Sequence, residues 1–94
     1  MSARYRHKPM TGRELSQALN RVQLSVRQFS RLTGSQPRTI EKWLDDPTAQ
    51  TPHWVRVLLA LLAQPANMEV ARHISDAALI EEEDRGDTPH TVGI

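Results

Sequence analysis

The sequence contains no cysteine, which excludes a disulfide scaffold, a thiolate zinc site and a cysteine nucleophile. Long hydrophobic runs are missing too. The longest, Val57 to Ala63, is far too short to cross a bilayer, and the basic, polar stretch Met1 to Met10 lacks the apolar segment of a secretory leader. A cytoplasmic, nucleoid-associated protein with no membrane contact is therefore expected. Neither GxxxxGKS/T nor GxGxxG occurs, so nucleotide chemistry has no support. His7, His53, His73 and His90 are scattered without metal-ligand spacing, and neither a metal nor a cofactor is expected. His73, Ser75 and Asp76 lie on one short stretch and cannot converge as a triad, whose members come from separate positions. The chain does not read as an enzyme. Strand alternation and internal repeats are also absent.

What is present fits one small domain. The chain has 94 residues, 38% hydrophobic and 24% charged, which is globular but lean. A chain this short buries a modest share of its surface, and a deep catalytic cleft beside a sufficient core is not expected. The net charge of +1 conceals a polarised chain. Up to Arg56, ten Lys and Arg residues stand against four acids, a net of +6; beyond it, two arginines stand against seven acids, a net of −5. The basic front suits a polyanion such as nucleic acid. The acidic rear either orients the protein on that polyanion by repulsion or awaits a protein partner.

Residues 1–10 show no helical pattern and read as a flexible basic arm with Arg4, Arg6 and Lys8. Helical periodicity then runs to about Leu79. Thr11-Gly-Arg-Glu14 has capping-box spacing, followed by Leu15, Ala18, Leu19 and Val22 on one face. A second box, Ser25-Val-Arg-Gln28, precedes Phe29 and Leu32, so the chain must reverse near Gln23. Thr33-Gly34 ends the second helix, because glycine enters the left-handed region cheaply. Pro37 opens a third helix with Ile40, Trp43 and Leu44 inward, and Asp45-Asp46-Pro47-Thr48 is a turn. Thr51-Pro52 reads as N-cap and first position of a fourth helix carrying Val55, Leu58, Leu59 and Leu62. Asn67 reads as the cap of a fifth, with Val70, Ala71, Ile74, Ala77 and Ala78 inward. Residues 81–94, beginning Glu81-Glu82-Glu83-Asp84, read as a disordered acidic tail. The expected fold is all-α: five helices in one domain over residues 11–80.

The stretch Leu24 to Trp43, LSVRQFSRLTGSQPRTIEKW, has the layout of a helix-turn-helix: a short capped helix, a glycine turn, and a second short helix whose outer face is polar. In that layout the second helix enters the major groove and its first residues reach base edges. Gln36, Arg38, Thr39, Glu41 and Lys42 are left outward, which suits a reading surface rather than a core.

These residues resemble the Cro/C1-type (XRE) helix-turn-helix domains of phage and bacterial repressors, a lambda-repressor-like fold, over roughly residues 12–63. The resemblance is sharpest in PRTIEKWL followed by TPHWVRVLLALL, which is similar to the PRTVRRW…VPxW variant of small proteobacterial and phage regulators. It implies that the third helix reads bases through Gln36, Arg38, Thr39 and Lys42, with Arg or Lys suited to guanine and Gln to adenine. It also implies phosphate contacts from Ser25, Arg27, Arg31 and Ser35 and from the His53 and Trp54 amides at a helix N-terminus. The basic arm would follow the backbone or enter the minor groove. Three positions depart from the pattern: Gln36 stands where a Ser or Thr cap is usual, Leu44 where a glutamate is common, and Asp46 where a turn glycine is usual. Aspartate can partly imitate that glycine in the left-handed region.

The expected function is a sequence-specific transcriptional regulator, a homodimeric repressor that inserts the third helix into double-stranded DNA. Val70, Ile74 and Ala78 would form the dimer surface. The alternative is an antitoxin of the same fold, whose acidic C-terminal part neutralises a basic toxin while the front half represses the shared promoter.

Overall fold

A computed structural model describes residues 5–82. Five helices follow one another: α1 (Gly12–Arg21), α2 (Val26–Thr33), α3 (Pro37–Asp45), α4 (His53–Leu62) and α5 (Pro65–Ala78). No strand occurs among the described residues, and none of these helices is long and apolar enough to cross a membrane. The basic residue Arg4 and the tail from Glu83 onward lie outside the described residues.

Both capping boxes form. The Glu14 amide donates to Thr11 Oγ1 at 3.0 Å while the Thr11 amide donates to Glu14 Oε1 at 2.9 Å. Ser25 and Gln28 repeat the exchange at 3.1 and 2.9 Å, so each helix start has two otherwise orphaned amides satisfied. Between them α1 ends in a Schellman turn. The Leu24 amide reaches the Leu19 carbonyl at 3.0 Å, the Gln23 amide reaches Asn20 at 3.0 Å, and Gln23 itself sits at φ 58°. Burial of Leu24 in the core holds this non-glycine residue left-handed. Gly34 at φ 83° ends α2, and the space around it is open, so conformation rather than crowding selects glycine there.

The core gathers Leu15 and Leu19 from α1, Leu24, Phe29 from α2, Ile40 from α3, and Val55, Leu59 and Leu62 from α4. Trp43, Leu44 and Leu58 pack partly buried against it. These are the apolar faces the periodicity predicts. Gly12, which the pattern does not single out, lies so close to the end of α3 that a Cβ would fall on the Leu44 carbonyl oxygen and 3.1 Å from its carbon.

Four local expectations need correction. Met10 is not part of a loose arm: it is a core residue, and it forms an isolated antiparallel bridge with Thr51. Thr51 therefore does not cap α4. Pro52 occupies the N-cap, which has no side-chain cap bond, and the buried Thr51 Oγ1 has no hydrogen-bond partner among the described residues. Asn67 does not cap α5 either, since the helix starts two residues earlier at Pro65; its Nδ2 instead donates at 2.8 Å to the Leu61 carbonyl near the end of α4, which also accepts from the Gln64 amide at 3.2 Å. Asp46 is extended rather than left-handed, at φ −97°. Its carboxylate accepts from the Thr48 amide and hydroxyl at 2.9 and 2.7 Å, which closes the turn without glycine and holds its pKa below the usual carboxylate value.

The face of α5 is corrected as well. It carries two overlapping apolar stripes, and the one turned inward is Met68 and Ala71, with half-buried Ser75 continuing it. Val70 and Ile74 are 57% and 62% exposed. Polar chemistry selects the stripe: Ser75 Oγ donates to the Arg31 and Leu32 carbonyls at 3.2 and 3.1 Å, satisfying acceptors at the end of α2.

Candidate nucleic-acid interface

α3 is built to present its outer face. Ile40 is fully buried and Trp43 half-buried, which fixes the helix rotation about its axis. Gln36, Arg38, Thr39, Glu41 and Lys42 are then exposed. Gln36 is the N-cap yet makes no side-chain cap bond, so its amide group is not consumed by the helix start. Ser35 does not cap in its place. Its carbonyl accepts from Ser30 Oγ at 2.6 Å and its amide donates to Thr33 Oγ1 at 3.2 Å, which ties the α2–α3 connection to the end of α2. Arg38 and Lys42, one turn apart, line an open groove with Glu41, Asp45, Asp46 and Pro47.

The N-terminus of α4 meets this unit through an aromatic residue. Trp54, in the first turn, meets Trp43 edge-on with ring centroids 6.3 Å apart at 81°, and lies near-parallel to Phe29 at 6.3 Å and 11°. One indole thus joins α2, α3 and α4. The backbone amides at His53 and Trp54 belong to the positive end of α4, which favours an anion.

The arm contributes more order than its composition suggests. The His7 and His53 rings stack at 3.6 Å and 4°. Arg56 Nη2 donates to the Lys8 carbonyl at 3.1 Å and lies 3.8 Å from Glu14 Oε1. Tyr5, His7, Lys8, Thr51, His53 and Arg56 line a cleft of about 300 Å³ at the start of α4. Desolvation by its neighbours, then the nearby charges of His7 and Arg56, hold the pKa of the exposed His53 below its ordinary value. The stack joins residues distant in the chain, so spacing gave no sign of it. Among the described residues no group of His, Asp and Glu side chains is placed to hold a metal.

No family model, curated protein or solved structure matches the chain.

The remaining candidates divide. Ser25 is committed to its capping box, with its hydroxyl accepting an amide. Arg6, Lys8 and Arg27 are exposed. Arg31 is occupied: Nη1 donates to Asp76 Oδ1 at 2.7 Å and Nε to Glu82 Oε2 at 3.1 Å, and these bonds raise its already high pKa. Two carboxylates of the acidic rear thus lie on an α2 arginine of the basic front. Val70, Ile74 and Ala78 are all exposed on α5, and α4, packed against α5, leaves Val57 and Leu61 exposed.

Proposed function

We propose that this protein is a sequence-specific DNA-binding transcriptional regulator of the helix-turn-helix class, acting as a homodimeric repressor. One observation carries the reading: α3 is anchored through Ile40 and Trp43 while Gln36, Arg38, Thr39 and Lys42 all face solvent. Anchored apolar face and free polar face are what a helix needs to lie in the major groove and offer donors to base edges. The resemblance of PRTIEKWL…TPHW to Cro/C1-type (XRE), lambda-repressor-like domains supports the same assignment.

In this reading Arg38 and Lys42 seek guanine, Gln36 seeks adenine, and Thr39 packs beside them. Arg27, Arg31, Ser35 and the amides of His53 and Trp54 hold phosphates, while Arg6 and Lys8 follow the backbone. A single recognition helix spans too few base pairs for useful genomic specificity. Two copies joined through Val70, Ile74 and Ala78 would read half-sites about 34–36 Å apart.

Selection of bound sequences from a random duplex pool tests this directly. A palindromic consensus with half-sites about one turn apart is expected. Arg38→Ala should cost about 1–3 kcal/mol and relax one position of that consensus. Enrichment of no sequence, or an unchanged consensus in the variant, would overturn the assignment of α3.

A further inference from the structure

Arg31 is the α2 arginine that the proposed DNA-binding mode sets against a phosphate, and in the free protein two carboxylates hold it. Asp76 takes Nη1 at 2.7 Å and Glu82 takes Nε at 3.1 Å. Carboxylate oxygens on two edges of a guanidinium occupy the positions phosphate oxygens would use.

The two acids are held differently. Asp76 is on α5 next to Ser75, whose hydroxyl is bonded to the Arg31 and Leu32 carbonyls, so its place against α2 is fixed by the fold. Glu82 lies beyond the end of α5 at Ala78, in a non-helical stretch, and reaches Arg31 only by folding back. The contact is also open to water: the side chains of Arg31, Asp76 and Glu82 are 42%, 58% and 55% exposed. Ion pairs this exposed are weak and readily exchanged. A structural clamp would be buried; this one is displaceable.

We propose that the segment following α5 is an autoinhibitory phosphate mimic: Glu82 occupies Arg31 in the free protein and must leave before α2 engages the DNA backbone. The inference rests on the DNA-binding reading above and deepens it, making the acidic rear a competitor for the basic face rather than a remote counterweight. Affinity for any duplex is lowered by the occupancy of the contact, and base preference is untouched because α3 takes no part.

The test uses the full chain with Glu82→Gln, and with the neighbouring, exposed Glu81→Gln as a control that changes net charge equally. Glu82→Gln should tighten binding to both the selected operator and a random duplex by about two- to fivefold at moderate salt, with Glu81→Gln giving a smaller gain. In an Arg31→Ala background the Glu82 gain should fall to that of Glu81→Gln, the non-additivity of residues that act as a pair. In the DNA-free protein the Arg31 Nε–H resonance should move in Glu82→Gln and stay in place in Glu81→Gln. Duplex binding with equal gains from the two variants, or an excess of the Glu82 gain over the Glu81 gain that survives Arg31→Ala, overturns this inference alone. Failure of all these proteins to bind any duplex overturns the DNA-binding reading and this inference with it.

Discussion

Trp54 meets Trp43 edge-on, with ring centroids 6.3 Å apart, and this contact sets the start of α4 against the last turn of α3. The same indole lies along Phe29 of α2. Its position explains why a residue 44% exposed matters to the fold: from α4 its ring reaches aromatic side chains of both α2 and α3.

Trp54→Ala removes two ring contacts, each worth about 0.5–1.5 kcal/mol beyond burial. Loss of about 1–3 kcal/mol in urea unfolding is expected, with Trp54→Phe keeping part of it. A fully stable Trp54→Ala variant would show that the indole is merely adjacent to its neighbours.

Gly12 and Gly34 should both resist substitution, for opposite reasons. At Gly12 a helix start would otherwise gain from alanine, yet the added Cβ falls on the Leu44 carbonyl; overpacking of this kind costs about 1–3 kcal/mol. At Gly34 there is space, and the cost of about 1–2 kcal/mol comes from φ 83°. Asparagine, which tolerates the left-handed region, should therefore recover much of the loss at Gly34 and none at Gly12. Equal recovery at the two sites in thermal melting would contradict the distinction.

The His7–His53 stack makes stability depend on pH. The His53 pKa is held below 6.5 in the folded chain, first by desolvation and then by the charges of His7 and Arg56. As pH falls below 6.5 the unfolded chain binds this proton before the folded one does, so stability drops through that window and levels once the folded group protonates. Glu14 acts in a separate window, beginning below 4.5, because hydrogen bonding to Thr11 depresses its pKa. Urea unfolding between about pH 7.5 and about pH 5 should therefore show a slope that His53→Gln flattens. An unchanged slope in that variant removes His53 as the cause.

The α5 stripe that faces outward predicts assembly. No residue of α5 is fully buried, and Val70 and Ile74 are mostly exposed. Ile74→Asp should leave the unfolding midpoint of the isolated chain nearly unchanged, since exposed substitutions usually fall within about ±0.5 kcal/mol. It should shift sedimentation from dimer to monomer. A wild-type chain that sediments as a monomer at all concentrations would remove α5 as a dimer surface.

Local rules were enough for much of the molecule. Thr11 and Ser25 cap helices through short-range geometry that needs no partner, Gly34 ends one by its own backbone freedom, and the Leu15–Leu19, Phe29, Ile40 and Val55–Leu59–Leu62 faces follow from helical spacing alone. The outward face of α3 follows by subtraction, because Ile40 and Trp43 leave only one side for Arg38 and Lys42. Two errors, at Asp46 and Asn67, are local, where a side chain takes a nearby partner other than the expected one; the rest come from distant segments. Met10, Thr51, Gly12 and Ser75 each owe their role to a distant segment, and their composition and neighbours carry no trace of it. Met10 reads as arm until Thr51 comes beside it. α5 turns Met68 and Ala71 inward although its Val70–Ile74 stripe is the more apolar, and the bonds from Ser75 to the end of α2 go with that choice. Arg31 is the sharpest case. Its sequence context gives it to a phosphate, and the return of the chain past α5 gives it to Asp76 and Glu82. The starts of α1 and α2, the stop of α2 at Gly34 and the inner faces of α1 to α4 are properties of a few neighbouring residues, and the sequence alone determined them. Which stripe is buried and which charge is already neutralised depend on segments meeting in space, and only the tertiary structure decided those.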